Sequence, residues 1–267
     1  MDVLEYWQLR RHPFENLPDP YFFYFSHTHR EALLRLVYGV AKKKGIMLVT
    51  GNIGAGKTLI SYVLVKKLPH DLINIGMVIN PDLAPFPFLK EVAYQLGVDS
   101  EKCKDKREVV GILNEMLFKT AREGRHTFLI IDEAQTIKDQ NVFEELRLLS
   151  NFQSDTQFLL TILLLGQPEL REMIKGFPQL EQRVSIKYHL GSLDLLETQE
   201  YISFRLKKAG GDNPFTKNGM EIIHWHSEGI PRRINDICDL ALFLGCKYEK
   251  RVINKNILSE VIKEYKI

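Results

Sequence analysis

Residues Gly51-Asn52-Ile53-Gly54-Ala55-Gly56-Lys57-Thr58 match G-x-x-x-x-G-K-[ST] in full and follow directly on the apolar run Ile46-Met47-Leu48-Val49-Thr50. Glycines let such a loop turn its backbone N–H groups inward around phosphate oxygens. A helix leaving the loop aims the positive end of its dipole at the same anion. The loop therefore needs a strand before it and a helix after it. Both are present: the apolar run has strand length, and helical periodicity runs over 57–68 until Pro69 stops it. In this pattern Lys57 reaches the β- and γ-phosphates and the Thr58 hydroxyl ligates Mg²⁺. Residues 51–59, from Gly51 through Leu59, are the expected binding segment for ATP, with Mg²⁺ as its companion ion.

The chain around this loop alternates. Patterning predicts strands at 46–50, 72–80, 127–132, 158–166 and 184–190, with helices at 29–43, 57–68, 86–96, 106–123 and 142–151. Apolar strands that alternate with helices imply a parallel sheet covered on both faces. After Gly191 the pattern becomes helical, at 197–209, 217–227, 232–246 and 254–265, with one short extended piece at 251–253. The expected architecture is α/β: a P-loop domain over 1–190 with a five-stranded parallel sheet, then a small all-helical lid over 191–267. Prolines 13, 18 and 20 exclude a continuous helix at the start, so 1–28 reads as an extended linker against the core. Its aromatic run at 21–25 is either packed or a patch facing a membrane or a partner.

Charge and cysteine content narrow the function. The 36 basic and 34 acidic residues leave a net charge of +2, which excludes a whole-surface nucleic-acid binder. Local basic clusters remain at Lys42-Lys43-Lys44, Lys66-Lys67, Lys207-Lys208 and around Lys247, Lys250 and Arg251. Cys103, Cys238 and Cys246 lack metal-type spacing and read as buried thiols in a reducing compartment, with a redox or metal role as the alternative. The longest apolar run, at 158–165, is far below the roughly 18 residues needed to cross a bilayer. The expected location is cytoplasmic, at most peripheral to the inner membrane.

A second motif lies about 75 residues beyond the loop, where an apolar strand leads into Asp132-Glu133. In open α/β sheets ligands bind at the carboxyl ends of strands. Asp132 there would hold Mg²⁺ through water, and Glu133 would polarise the attacking water; a helix-capping role is the plainer alternative. Arg232, in Gly229-Ile230-Pro231-Arg232-Arg233-Ile234-Asn235, is either a surface charge or a group that senses the γ-phosphate. Arg183 is equally a surface arginine or a group entering a neighbouring subunit's site. Gln167 is either a turn residue or a group whose amide holds the attacking water or touches the γ-phosphate.

These residues together resemble a known family, the AAA+ ATPase module of the ExeA/GspA type, with the related ATPases found beside exosortase and polysaccharide-export genes. The marks are Pro13-Phe14, Pro18-Asp19-Pro20, Ser26-His27-Thr28-His29, GNIGAGKT, IIDEAQ, LLLGQPEL, Gln182-Arg183 and GIPRRIN. The resemblance implies that Asp132 is the metal acid and Glu133 the catalytic glutamate. It implies Gln167 as first sensor, Arg232 as second sensor and Arg183 as the finger acting in a neighbouring subunit. It places the segment around Phe14 and His29 on the adenine side. Longer members of that family continue into a transmembrane helix and a wall-binding domain. The chain of 267 residues is expected to work without them, through a membrane protein partner of a secretion or export system. TnsC-like and MuB-like transposition ATPases share the core plan more loosely. The expected function is Mg²⁺-dependent ATP hydrolysis by a homo-oligomer, ring or filament, supporting an envelope assembly. The alternative is ATP-dependent binding to duplex DNA, and a nucleotide-gated switch with negligible turnover is a third class.

Overall fold

The structure is a computed structural model that describes residues 2–265. In chain order the elements are α1 (Val3–Trp7), α2 (His27–Ala41), β1 (Ile46–Gly51), α3 (Lys57–Lys67), β2 (Ile73–Val78), α4 (Pro85–Gln95), α5 (Lys106–Arg122), β3 (His126–Ile131), α6 (Asn141–Leu149), β4 (Leu160–Gly166), α7 (Glu169–Lys175), α8 (Pro178–Glu181), β5 (Val184–Leu190), α9 (Leu195–Ala209), α10 (Lys217–Ser227), α11 (Pro231–Lys247) and α12 (Lys255–Tyr265). The chain divides into two compact units. Among the described residues a sheet unit holds 30–51 and 60–190, and a helical unit holds 2–29, 52–59 and 191–265.

The sheet unit is built on five parallel strands in the order β2-β3-β4-β1-β5. β1, β3 and β4 are buried at every residue, as their near-continuous apolar sequences require. β5 lies at an edge and alternates, turning Ser185, Lys187 and His189 outward. Register pairs Thr50 with Gly166 and Ile131 with Leu164, so β1, β3 and β4 end nearly level. Phe88, Leu89, Leu129, Ile131, Phe143 and Leu146 form part of one buried cluster, with Phe143 tilted over Phe177 at 5.2 Å. Each such side chain contributes about 1.5–3 kcal/mol by leaving water.

All five expected strands are present, with ends that differ by one or two residues. β4 starts at Leu160 because the chain first makes a small turn: Ser154 N–H donates to Gln157 O at 2.9 Å, and Gln153 bridges Phe158 antiparallel. Two short helices, α7 and α8, were not anticipated between β4 and β5. Each is too short for a periodic pattern, and Pro168 and Pro178 start them.

The helical unit is nucleated by local signals. Asp194 and Glu197 form a reciprocal capping box at the start of α9, and Thr216 caps α10 through Gly219 N–H at 3.0 Å. Its core gathers Ile202, Leu206, Ile234, Ile237, Ala241 and Leu258. Leu9, Phe14 and Phe22 join the same cluster, and Trp7 Nε1 donates to Leu242 O at 2.9 Å. Residues 1–28 were expected as an extended linker on the sheet domain; residues 2–28 instead pack with the helical segment and open with a helical turn, α1. Burial of their aromatic side chains is the cause. In the aromatic run Phe22 and Phe23 are buried, while Tyr21 and Phe25 keep exposed faces. Cys238 and Cys246 are buried free thiols, and burial pushes the Cys238 thiol up. Among the described residues no helix is long and apolar enough to cross a membrane.

Candidate nucleotide site

Residues 52–59 of the phosphate loop belong to the helical unit. α3 begins at Lys57, the first residue after the loop glycines. Three loop carbonyls are held in place. Lys57 Nζ donates to Asn52 O at 3.0 Å, and Lys57 is 5% exposed. Arg232 N–H, at the first turn of α11, donates to Gly54 O at 3.3 Å. His29 Nε2 lies 3.1 Å from Ala55 O and must be the donor, because a carbonyl only accepts. Gly54 has φ +81°, and a Cβ there would meet Arg232 Cβ at 2.4 Å, so the loop tolerates only glycine at this point.

His29 is itself locked. Its Nδ1 lies 2.6 Å from Ser26 Oγ, and its ring stands edge-on to Phe23 at 5.5 Å. Burial pushes its pKa down to about 4, so the ring is neutral at pH 7. With Nε2 carrying the proton, Nδ1 accepts from the Ser26 hydroxyl. His29 was expected on the adenine side; in the structure its polar partners are the loop backbone and Ser26. Phe14, expected there too, is 2% exposed and stands edge-on to Phe215 at 6.3 Å inside the helical core.

Asn235, the last letter of the GIPRRIN run, was given no role by sequence reasoning. It is buried, accepts from Tyr201 OH at 2.8 Å and donates through Nδ2 to Asn16 Oδ1 at 3.0 Å. Arg205, also buried, donates to Tyr201 OH at 2.7 Å, to Glu15 O at 3.1 Å and to Pro13 O. The residues around Phe14 are therefore clasped to α9 and α11. No sequence signal marks Arg205, since its meaning depends on backbone carbonyls 190 residues away.

Asp132, Glu133, Gln167 and Arg183 belong to the sheet unit. Asp132 follows β3, is 1% exposed, and its N–H donates to Val78 O at 2.9 Å. Asp132 Oδ1 accepts Glu133 N–H at 2.9 Å. Glu133 has φ 49°, ψ 37°, a left-handed conformation that costs a non-glycine residue on the order of 1 kcal/mol. Its carbonyl accepts both Thr136 N–H and Thr136 Oγ1–H, each at 2.8 Å, and those bonds hold the turn. Gln167 follows β4 and is half-buried. Arg183 lies at the opposite end of the sheet, just before Val184, which pairs with Ile46 at the start of β1. It does not join Asp132 and Glu133 within its own chain. Among the described residues no group of three His, Cys, Asp or Glu side chains gathers as a metal site.

The family described as an AAA domain matches residues 40–174, half of the chain. The chain belongs to the AAA domain family. This AAA protein is similar to General secretion pathway protein A of Aeromonas hydrophila, at 35% identity over 241 residues, covering 89% of this chain and 44% of that protein. The resemblance read from the motifs is thus borne out, although the chain spans less than half the length of that curated relative. Among solved structures it is similar to Aeropyrum pernix ORC2 (TM-score 0.71, 18% identity, 95% of this chain and 71% of that one). It is also similar to Pyrobaculum aerophilum Cdc6p (TM-score 0.70, 15% identity, 92% and 71%) and to Thermotoga maritima RuvB (TM-score 0.60, 17% identity, 90% and 69%). These likenesses bear out the AAA+ P-loop fold.

Proposed function

We propose that this AAA protein binds Mg·ATP on residues 51–59 and hydrolyses it, working as a homo-oligomer. The observation that carries the reading is the complete phosphate loop in strand–loop–helix context, its carbonyls tied and Lys57 buried beside them. The donor set fits Mg²⁺, a hard cation that takes oxygen ligands and keeps several waters. The Thr58 hydroxyl and the Asp132 carboxylate would hold it, with phosphate oxygens and water as further ligands, so a closed cluster of protein ligands is not needed. The ion would neutralise charge on the phosphates. Lys57 binds the phosphate tail and Arg232 senses the γ-phosphate. Glu133 takes the proton from the attacking water, and Gln167 orients that water. Arg183 acts in a neighbouring subunit. The test is phosphate release by Lys57→Ala and Glu133→Gln. Both are expected to lose turnover, Glu133→Gln by about 10²–10⁴-fold as for a removed general base. Wild-type turnover in either variant refutes the assignment.

For its purpose, the Aeromonas hydrophila relative's name supports a role in a secretion or export system, reached through a membrane protein partner. A second reading has an observation of its own. Lys42, Lys43 and Lys44 line a groove of about 800 Å³ with Gln153, Ser154, Gln157 and one acidic residue, Asp155, and Lys43 Nζ donates to Gln157 Oε1 at 2.7 Å. One similar structure, Aeropyrum pernix ORC1, is of a complex with DNA. A gel shift with long duplex DNA and ATP at low salt, where phosphate contacts are strongest, separates the two readings. An ATP-dependent shift lost in Lys42→Ala/Lys44→Ala favours DNA, and no shift eliminates it.

A further inference from the structure

We infer that Gln135 is a positioning residue that fixes the Glu133 carboxylate against the end of β4; the inference rests on the reading of Glu133 as general base. Gln135 Nε2 lies 2.5 Å from Glu133 Oε2, and Gln135 Oε1 lies 3.0 Å from Gln167 N. The amide orientation follows from chemistry. A backbone N–H only donates and an ionised carboxylate only accepts, so Oε1 must face Gln167 and Nε2 must face Glu133. One planar group thereby joins the general base to the first residue after β4.

Three features of the backbone serve this bridge. Glu133 is held left-handed at φ 49°, a strained state for a side chain of its size. Its carbonyl is pinned by Thr136, so the turn that carries Gln135 is fixed to the turn that carries Glu133. Gly166 leaves room for the amide: a Cβ there would stand 2.7 Å from Gln135 Oε1 and 2.6 Å from Leu170 Cδ2. The Gly166-Gln167 pair and the final Gln of IIDEAQ are thus parts of one arrangement.

A carboxylate on a freely rotating side chain spends most of its time misaimed at any one water. The Nε2–H donor holds Oε2 and leaves Oε1 to accept the water proton. Movement at residue 167, proposed to orient the attacking water, is passed to Glu133 by a single side chain. Gln135 touches none of the groups assigned to nucleotide binding, so its removal acts on kcat and spares KM.

The experiment uses the full chain and four proteins: wild type, Gln135→Glu, Glu133→Gln and the double variant. Gln135→Glu keeps size and the acceptor for Gln167 N–H but replaces the donor with a second negative charge. Its melting temperature is expected to stay within a few degrees of wild type. Its kcat is expected to fall about 10- to 100-fold, as for a misplaced reacting group, with KM for ATP within about 2-fold. In the Glu133→Gln background the same change is expected to have no further effect, because the carboxylate it positions is gone. Gln135→Ala, which loses both bonds, gives a second variant should the like charges unfold the turn. Wild-type kcat in Gln135→Glu and Gln135→Ala, or a loss that multiplies unchanged onto Glu133→Gln, overturns the inference. A wild type that binds Mg·ATP without turnover overturns the general-base reading beneath it, and all four proteins are then equally silent.

Discussion

His29 of the helical unit and His126 of the sheet unit are both buried, and burial pushes both down to about pKa 4. Their tasks differ. His126 Nε2 lies 2.8 Å from Thr161 Oγ1, a tie between neighbouring strands that apolar packing already holds. His29 holds the carbonyl of a loop residue, where no apolar packing can substitute. The sheet unit takes its order from side chains without polar atoms. The phosphate loop takes its order from polar contacts to its own backbone. A loop that must present N–H groups to an anion can be braced through its carbonyls, and Asn52, Gly54 and Ala55 are each braced that way.

The largest expected effect on stability probes the apolar half of this contrast. Phe143→Ala removes a fully buried ring and should destabilise the protein by about 3–5 kcal/mol, read from urea unfolding. A cost under 1 kcal/mol would mean that the sheet unit does not depend on its packed core.

The two histidines give the next effect. Between pH 4 and 6.5 the unfolded chain binds a proton at each of these positions and the folded chain does not. Stability therefore rises with pH through that window and falls as pH drops from about 6.5 toward 4. Each histidine accounts for about 3 kcal/mol of the full loss. His29→Gln and His126→Gln should each flatten the dependence by about 2 kcal/mol between unfolding curves at pH 7.5 and 5, since part of the full loss lies below pH 5. Only His29→Gln should also weaken Mg·ATP binding. Equal effects of both variants on binding would erase the distinction between the two ties.

Much of this was legible in the sequence, for reasons that differ along the chain. β1, β3 and β4 are unbroken apolar runs, so their position and parallel pairing follow from composition and period. Lys57, Thr58, Asp132 and Glu133 stand in local motifs whose chemistry is tied to spacing. α1, α7 and α8 carry too few residues to show a period. The packing of Leu9 and Phe14 with the helical segment, and the Arg205 bonds to Pro13 O and Glu15 O, join residues some 190 positions apart and have no local signature. Gln135 was in view as a letter of IIDEAQ, yet its role depends on the left-handed turn at Glu133 and on the strand register, which no spacing reveals.

Calorimetric titration of Mg·ATP into wild type, Lys57→Ala and Glu133→Gln tests the central claim most directly. The account predicts saturable binding by wild type and by Glu133→Gln, and its loss in Lys57→Ala. No binding heat from concentrated wild-type protein, or unchanged affinity in Lys57→Ala, would contradict it.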